Sequence, residues 1–192
     1  ELNFDGVEDY ILVANDPKLE LVNYTLEVWA KIDQYPTSGE GYTFIQKGQL
    51  DTQPNGYFFG FFNNGGTYQV YLAHVDNEYS IYTLTPDFTP PLGDWVHYAG
   101  TYDGSKMQVY VNGQSIGNLS SLDPDYSIVS ESNLKIGVSE STGPSLSSYM
   151  MGDLDEIRIW DYARNDFSDR YDALQGDEAG LVAYYSFDEG YS

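Results

Sequence analysis

The sequence predicts an all-β chain, a sandwich of two antiparallel sheets with at most one short helix. Three observations predict it. Apolar and polar residues alternate over short runs, the period of a half-buried strand. Nearly every run is fenced by Gly, Asn, Asp or Pro, which supply turns. The 19 Tyr and 9 Phe favour pleated sheet, and no long Ala/Leu/Glu/Lys pattern argues for helices.

The elements follow in order. Residues 2–6 open the chain as a strand. Over residues 22–31 the alternation is clean, with Tyr24, Leu26, Val28 and Ala30 on one face and Thr25, Glu27, Trp29 and Lys31 on the other. Residues 42–46, 56–62, 67–73 and 79–84 read as four further strands. In the third of these, Tyr68, Val70, Leu72 and His74 share a face and Gln69 and Tyr71 take the opposite one. Residues 95–102 and 107–111 form a hairpin across Asp103-Gly104, since Gly takes the positive φ that a tight turn demands. A second hairpin crosses Asn112-Gly113 to a return strand at 115–119. Strands at 133–138, 149–160 and 181–187 complete the set. Residues 168–174, capped by Asp166 or Ser168, are the one helical candidate.

At 192 residues the chain fits one domain with a substantial core. Its 30 acidic and 8 basic residues give a formal charge of −22, a field that repels phosphate backbones and anionic lipid. Nucleic-acid and membrane-surface binding are therefore excluded as expectations. The acidity serves solubility, attraction for divalent cations, or both. With no cysteine there is neither a disulfide framework nor thiolate chemistry. No run is long and apolar enough for a transmembrane helix. The chain opens at Glu1 and is expected to be one domain of a longer secreted or surface protein.

Carboxylates stand in two strand-like runs at opposite ends of the chain, Leu2-Asn-Phe-Asp-Gly6 and Met151-Gly-Asp-Leu-Asp-Glu-Ile-Arg-Ile-Trp160. If these strands are neighbours, Asp5 and Asp155 could converge on one hard cation.

Seven blocks then occur in order: Leu2-Asn-Phe-Asp-Gly-Val-Glu-Asp-Tyr-Ile11, Tyr24-Thr-Leu-Glu-Val-Trp-Ala30, Gly93-Asp-Trp-Val-His-Tyr-Ala-Gly-Thr-Tyr-Asp-Gly104, Val109-Tyr-Val-Asn-Gly113, Leu134-Lys-Ile-Gly137, residues 152–160, and Gly180-Leu-Val-Ala-Tyr-Tyr-Ser-Phe-Asp-Glu-Gly190. Together they resemble the laminin-G-like jelly-roll domains of the concanavalin A-like lectin/glucanase superfamily over nearly the whole chain. The resemblance implies a jelly-roll sandwich. It also implies a structural Ca²⁺ held by Asp155, by Asp5 or Gly6, and by carbonyls of the Lys47-Gly48 loop, with the hard oxygen ligands that this ion prefers.

A retaining glucanase of that superfamily needs two carboxylates about 5–5.5 Å apart, carried on one strand as Glu-x-Asp-x-Glu. Here Asp153 and Asp155 share a face, but Ile157 breaks the series and Glu156 points the other way. His74 and His97 stand alone, and His97 reads as structural. The expectation is a non-catalytic, calcium-binding, lectin-like module at the cell surface or outside the cell, with carbohydrate or glycoconjugate as partner. Its alternative is an adhesive spacer that binds a protein and uses calcium as a clasp. Tyrosine suits sugar stacking because one end is apolar and the other polar. Tyr71, Gln69 and Tyr82 are nominated as a solvent-side platform, and Asn63, Asn64, Asp76 and Asn77 as a loop-rim site.

Overall fold

The computed structural model describes residues 1–48, 56–76, 80–122, 130–140 and 145–188. Asn77, Tyr79 and the loop at 51–55 lie outside the described residues. The strands are β1 (Leu2–Asp5), β2 (Ile11–Val13), β3 (Tyr24–Ile32), β4 (Gly41–Lys47), β5 (Gly56–Asn64), β6 (Thr67–Val75), β7 (Ile81–Leu84), β8 (Trp95–Tyr102), β9 (Lys106–Val111), β10 (Gln114–Ser120), β11 (Leu134–Ile136), β12 (Ser139–Glu140), β13 (Leu146–Ser147), β14 (Met151–Trp160) and β15 (Leu181–Tyr185).

Two antiparallel sheets face each other across one core. The seven-stranded sheet runs β1-β14-β3-β8-β9-β10, with β15 also on β14. β1 pairs with the first half of β14 and β15 with the second, so the opening and closing strands lie end to end along the same edge. The six-stranded sheet runs β2-β11-β4-β5-β6-β7. β12 and β13 form a separate small hairpin.

The alternation in β3 places Tyr24, Leu26, Val28 and Ala30 in the core, where they meet Tyr57, Phe59 and Phe61 of β5 and Val70 and Leu72 of β6. Tyrosine is compatible with such a core because its hydroxyl can reach a partner at the sheet ends. Tyr102 donates to the Gly104 carbonyl at 3.0 Å and Tyr57 to that of Leu19 at 3.4 Å. His74 lies in the same layer, its ring 4.1 Å from that of Tyr102 and its Nδ1 3.4 Å from the Tyr24 hydroxyl.

The opposite face of β3 is buried as well, which alternation alone did not foretell. The segment after β14 folds back over it and forms a third layer. Thr25 Oγ1 donates to the Tyr162 carbonyl at 2.7 Å and accepts from the Arg164 amide at 2.8 Å. Arg164 then joins Glu27, at 2.6 Å, to Asp169, at 2.6 and 2.7 Å. Phe167 anchors the layer on Ala99 and Tyr110.

This layer also corrects the helix expected over 168–174. Its backbone hydrogen bonds run from Arg170 to Phe167 and from Asp172 to Asp169, which are three-residue turns. Phe167 and Arg170 are both drawn to the sheet, so the segment lies flat on it. Among the described residues the helical element is instead a single 3₁₀ turn, Pro17–Leu19, with Asp16 capping the Lys18 amide.

Two outcomes are expected. Glu27→Ala leaves Arg164 and His97 facing a buried gap and should destabilise the fold by about 3–5 kcal/mol, as for other broken buried pairs, read as a lower urea midpoint. The second concerns His74. Burial, partly offset by nearby Asp76, pushes its pKa down to about 4. The unfolded imidazole titrates near 6.5, so between these values the unfolded chain holds more protons and stability falls as the pH drops. The loss from this group should reach roughly 3 kcal/mol by pH 4. His74→Phe should flatten that part of the stability profile.

Candidate functional site

The run Phe58-Phe59-Gly60-Phe61-Phe62 in β5 puts aromatic side chains on both faces of the six-stranded sheet. Phe59 and Phe61 enter the core. Phe58 packs outward with Tyr71, Ala73 and Val75 of β6. Gly60 lets β4 and β5 close up: a Cβ there would stand 2.3 Å from the Tyr42 carbonyl oxygen. The result is a cleft of about 240 Å³ on the face turned away from the core, floored by Phe58, Gly60, Phe62 and Tyr71 and walled by Thr43, Ser139 and Ser148.

The cleft continues through Gly41, Tyr42, Phe62 and Ser148 into a second hollow of about 520 Å³ at the sheet rim, reaching Gln34, Tyr149 and Met151. The two hollows therefore adjoin, one on the face and one at its rim. The wall of this groove is the β12–β13 hairpin, which Gln46 ties down by donating to the Glu140 carbonyl and accepting from the Glu140 amide, both at 2.8 Å. Tyr35 is fixed at the rim, its hydroxyl donating to the Pro90 carbonyl at 2.8 Å and its ring stacked on Tyr68 at 4.2 Å. Among the described lining residues Glu40 is the one ionisable carboxylate, and Thr37 Oγ1 donates to it at 2.5 Å.

The nominated ligand residues divide. Tyr71 and Gln69 do face outward; Gln69 donates to Asp87 at 2.8 Å. Tyr82 does not. It stands opposite His74 in the β6–β7 register and packs toward the core, so it is on the other side of the sheet from Tyr71. The loop-rim set is likewise corrected. Asn63 and Asn64 end β5 at the Gly65-Gly66 turn, whereas Asp76 follows β6 at its other end. Eight residues of strand separate Tyr68, opposite Asn63, from Asp76, about 26 Å at 3.3 Å per residue. Asn63 serves its own turn, accepting from the Gly66 amide at 2.7 Å and donating to the Pro36 carbonyl at 2.8 Å. Asp76 accepts from the Ser80 amide at 2.8 Å.

The calcium set also fails to assemble. β1 and β14 are neighbours as expected, but the register sets Asp5 opposite Met151 and Leu2 opposite Leu154. Asp155 thus lies beyond the far end of β1, about 13 Å along the strand from Asp5. Asp5 closes a local turn by accepting from the Val7 amide at 2.9 Å, and Gly6, at φ 80°, packs on Met151. Lys47 and Gly48 belong to the other sheet. The Lys47 side chain is itself buried, and its ammonium donates to Asn15 Oδ1 at 2.6 Å and to the Ser130 and Ser132 carbonyls at 2.9 and 2.6 Å. The Gly48 carbonyl accepts from Gln46 at 2.8 Å. These five residues do not fit one Ca²⁺ coordination sphere, which takes six to eight converging oxygens.

The remaining candidates for acid–base chemistry are engaged in structure. Asp153 binds Lys31 and accepts from Asn3 at 2.7 Å. Glu156 accepts from the Tyr184 hydroxyl at 2.7 Å and from Arg158 at 2.7 Å. His97 Nε2 lies 3.2 Å from buried Glu27, and desolvation holds its pKa below the usual value, as a structural histidine requires.

Phe58, Phe62 and Tyr42 of the groove were not singled out from the sequence. The signal was present: unbroken aromatics flanking Gly60 cannot all enter one core from one strand.

The sandwich and its grooved outer face define a lectin-like jelly-roll domain. The chain belongs to the concanavalin A-like lectin/glucanases superfamily, whose laminin-G family profile matches residues 5–167. It is similar to mouse (Mus musculus) pappalysin-1, 24% identical over 169 residues that make up 85% of this chain and 10% of that protein. Its structure is similar to that of a putative carbohydrate binding protein from Bacteroides ovatus, with a TM-score of 0.73 at 19% identity, covering 97% of this chain and 51% of that one. It also resembles domain 4 of an extracellular arabinanase from Geobacillus stearothermophilus, solved in complex with arabinotriose, with a TM-score of 0.58 at 22% identity, covering 84% and 70%. This chain therefore spans about a tenth and about half, respectively, of the lengths of the first two.

Asp155→Ala is expected to leave any calcium-dependent change in melting temperature as it is in the wild type. Loss of that change in this variant would return the ion to Asp155.

Proposed function

We propose that this chain is a non-catalytic carbohydrate-recognition module of an extracellular or surface protein, and that the groove on the six-stranded sheet is its saccharide site. One observation carries the reading: two adjoining hollows with an aromatic floor, rimmed by hydroxyls and amides and carrying a single described carboxylate. Apolar ring faces take up the C–H patches of a sugar, and neutral polar groups at the edge exchange hydrogen bonds with its hydroxyls. The elongated shape suits a short run of sugar units better than one.

The arabinanase domain solved with arabinotriose supports this, because a domain of similar fold holds a linear oligosaccharide. The Bacteroides protein, described as a putative carbohydrate binding protein, supports it through its similar fold. Recognition here is direct rather than through a bridging ion, since one carboxylate among the described lining residues falls far short of a calcium ligand set. The non-catalytic reading rests on the groove's composition: a glycosidase needs a pair of carboxylates across the scissile bond.

A glycan array run in calcium and again in EDTA tests the proposal. Binding to a defined neutral oligosaccharide in both conditions is expected. Tyr71→Ala and Phe62→Ala should each weaken it by about 1–3 kcal/mol, by analogy with aromatic stacking on nucleobases. Wild-type affinity in both variants would move the site off this face, and release of reducing sugar would make the module an enzyme.

A further inference from the structure

A separate cavity of about 350 Å³ opens on the seven-stranded sheet, on the side opposite the groove. Two of the chain's three tryptophans, Trp29 of β3 and Trp95 of β8, wall it together with Tyr171 of the covering layer. This wall is held in place. The Trp29 indole donates to the Arg170 carbonyl at 3.1 Å, and its ring lies 5.2 Å from that of Tyr171. The Arg170 guanidinium stacks on Tyr171 at 4.4 Å.

A β-bulge supplies the polar lining. The β14–β3 register breaks between Asp155 and Arg158, and Glu156 takes φ 49°, a left-handed conformation that residues with a Cβ rarely adopt. Bulges of this kind re-aim side chains, and here Asp155, Glu156 and Arg158 all border the cavity. Arg158 is only 1% exposed, yet its hydrogen bonding is incomplete. Nη2 donates to Glu156 and to the Asp172 carbonyl, each at 2.7 Å. Its Nε and Nη1 have no hydrogen-bond partner among the described residues. Buried donors without a partner are uncommon.

The composition selects the ligand. An anion would meet Asp155, Glu156 and Asp172 within a strongly negative protein, and a cation would meet Arg158 and Arg170. A neutral polyol satisfies both signs, because each hydroxyl accepts from a guanidinium and donates to a carboxylate. Its C–H face has indole to lie on. We propose that this cavity is a second saccharide site, which takes a neutral sugar against Trp95 with its hydroxyls between Arg158 and Asp155. It is independent of the groove, so the module is bivalent across its two faces and suited to linking two separate glycan chains.

The test is nitrogen-15 NMR of the indole N–H groups, titrated in turn with galactose, mannose, N-acetylglucosamine and arabinose at millimolar concentration. Saturable shifts of the Trp29 and Trp95 signals are expected with at least one sugar, while buried Trp160 stays still. Trp95→Ala, a change at a half-buried position, should weaken the residual Trp29 response at least tenfold and leave the remaining spectrum folded. Tyr71→Ala should not alter it, which separates this site from the groove. Three results would overturn the proposal: no saturable shift with any of the four sugars, a Trp29 response of unchanged affinity in Trp95→Ala, or loss of the response in Tyr71→Ala.

Discussion

The bridge from Arg164 to Glu27 organises the seven-stranded sheet. A sandwich sheet ordinarily buries one face and offers the other to water. Here the central strand β3 carries a carboxylate on its outer face, and that carboxylate is fully covered. Its charge is tolerable because a guanidinium lies against it and a histidine sits beside it. The same guanidinium reaches Asp169 and stacks over Trp160 and Phe167, so one cation pins the covering layer to the sheet. Phe167, Arg170 and Tyr171 take their positions from this layer, and with them the wall beside Trp29.

The two sheets therefore have different outer faces. The seven-stranded sheet is roofed, and its cavity is a gap at the roof's edge, lined by opposed charges. On the six-stranded sheet the outward-facing Phe58, Ala73 and Val75 are buried too, and its groove is aromatic and almost free of charge. In a molecule of net charge −22, a neutral groove is where uncharged ligand surface can settle without desolvating an ion.

Much of this fold was legible in the sequence. Period-two alternation located β3, β5, β6, β8 and β9, because each buries one full row of side chains. β2 escaped because three residues cannot display a period. The helix expected at 168–174 failed for a tertiary reason: Phe167 and Arg170 are held by the sheet, and the backbone follows them. The site was harder to read. Sequence shows that β1 and β14 could pair but not in which register, and the register is what separates Asp5 from Asp155. Likewise, alternation set Tyr71 outward correctly, while only the pairing of His74 with Tyr82 turns the latter inward. Lys47 was nominated for its carbonyl; the structure uses its ammonium, burial pulling the pKa down while three oxygens cradle the charge.

Gly60 also bears on how far this scaffold can be redesigned. With the Tyr42 carbonyl oxygen standing where its Cβ would be, no side chain can be introduced at that position without prising β4 from β5. The depth of the groove is thus an invariant of the backbone, while the part-exposed Phe62 and Tyr71 remain open to exchange. A library that varies residues 62 and 71 and leaves Gly60 and the buried Phe58 alone would sample new specificities in a groove of unchanged depth.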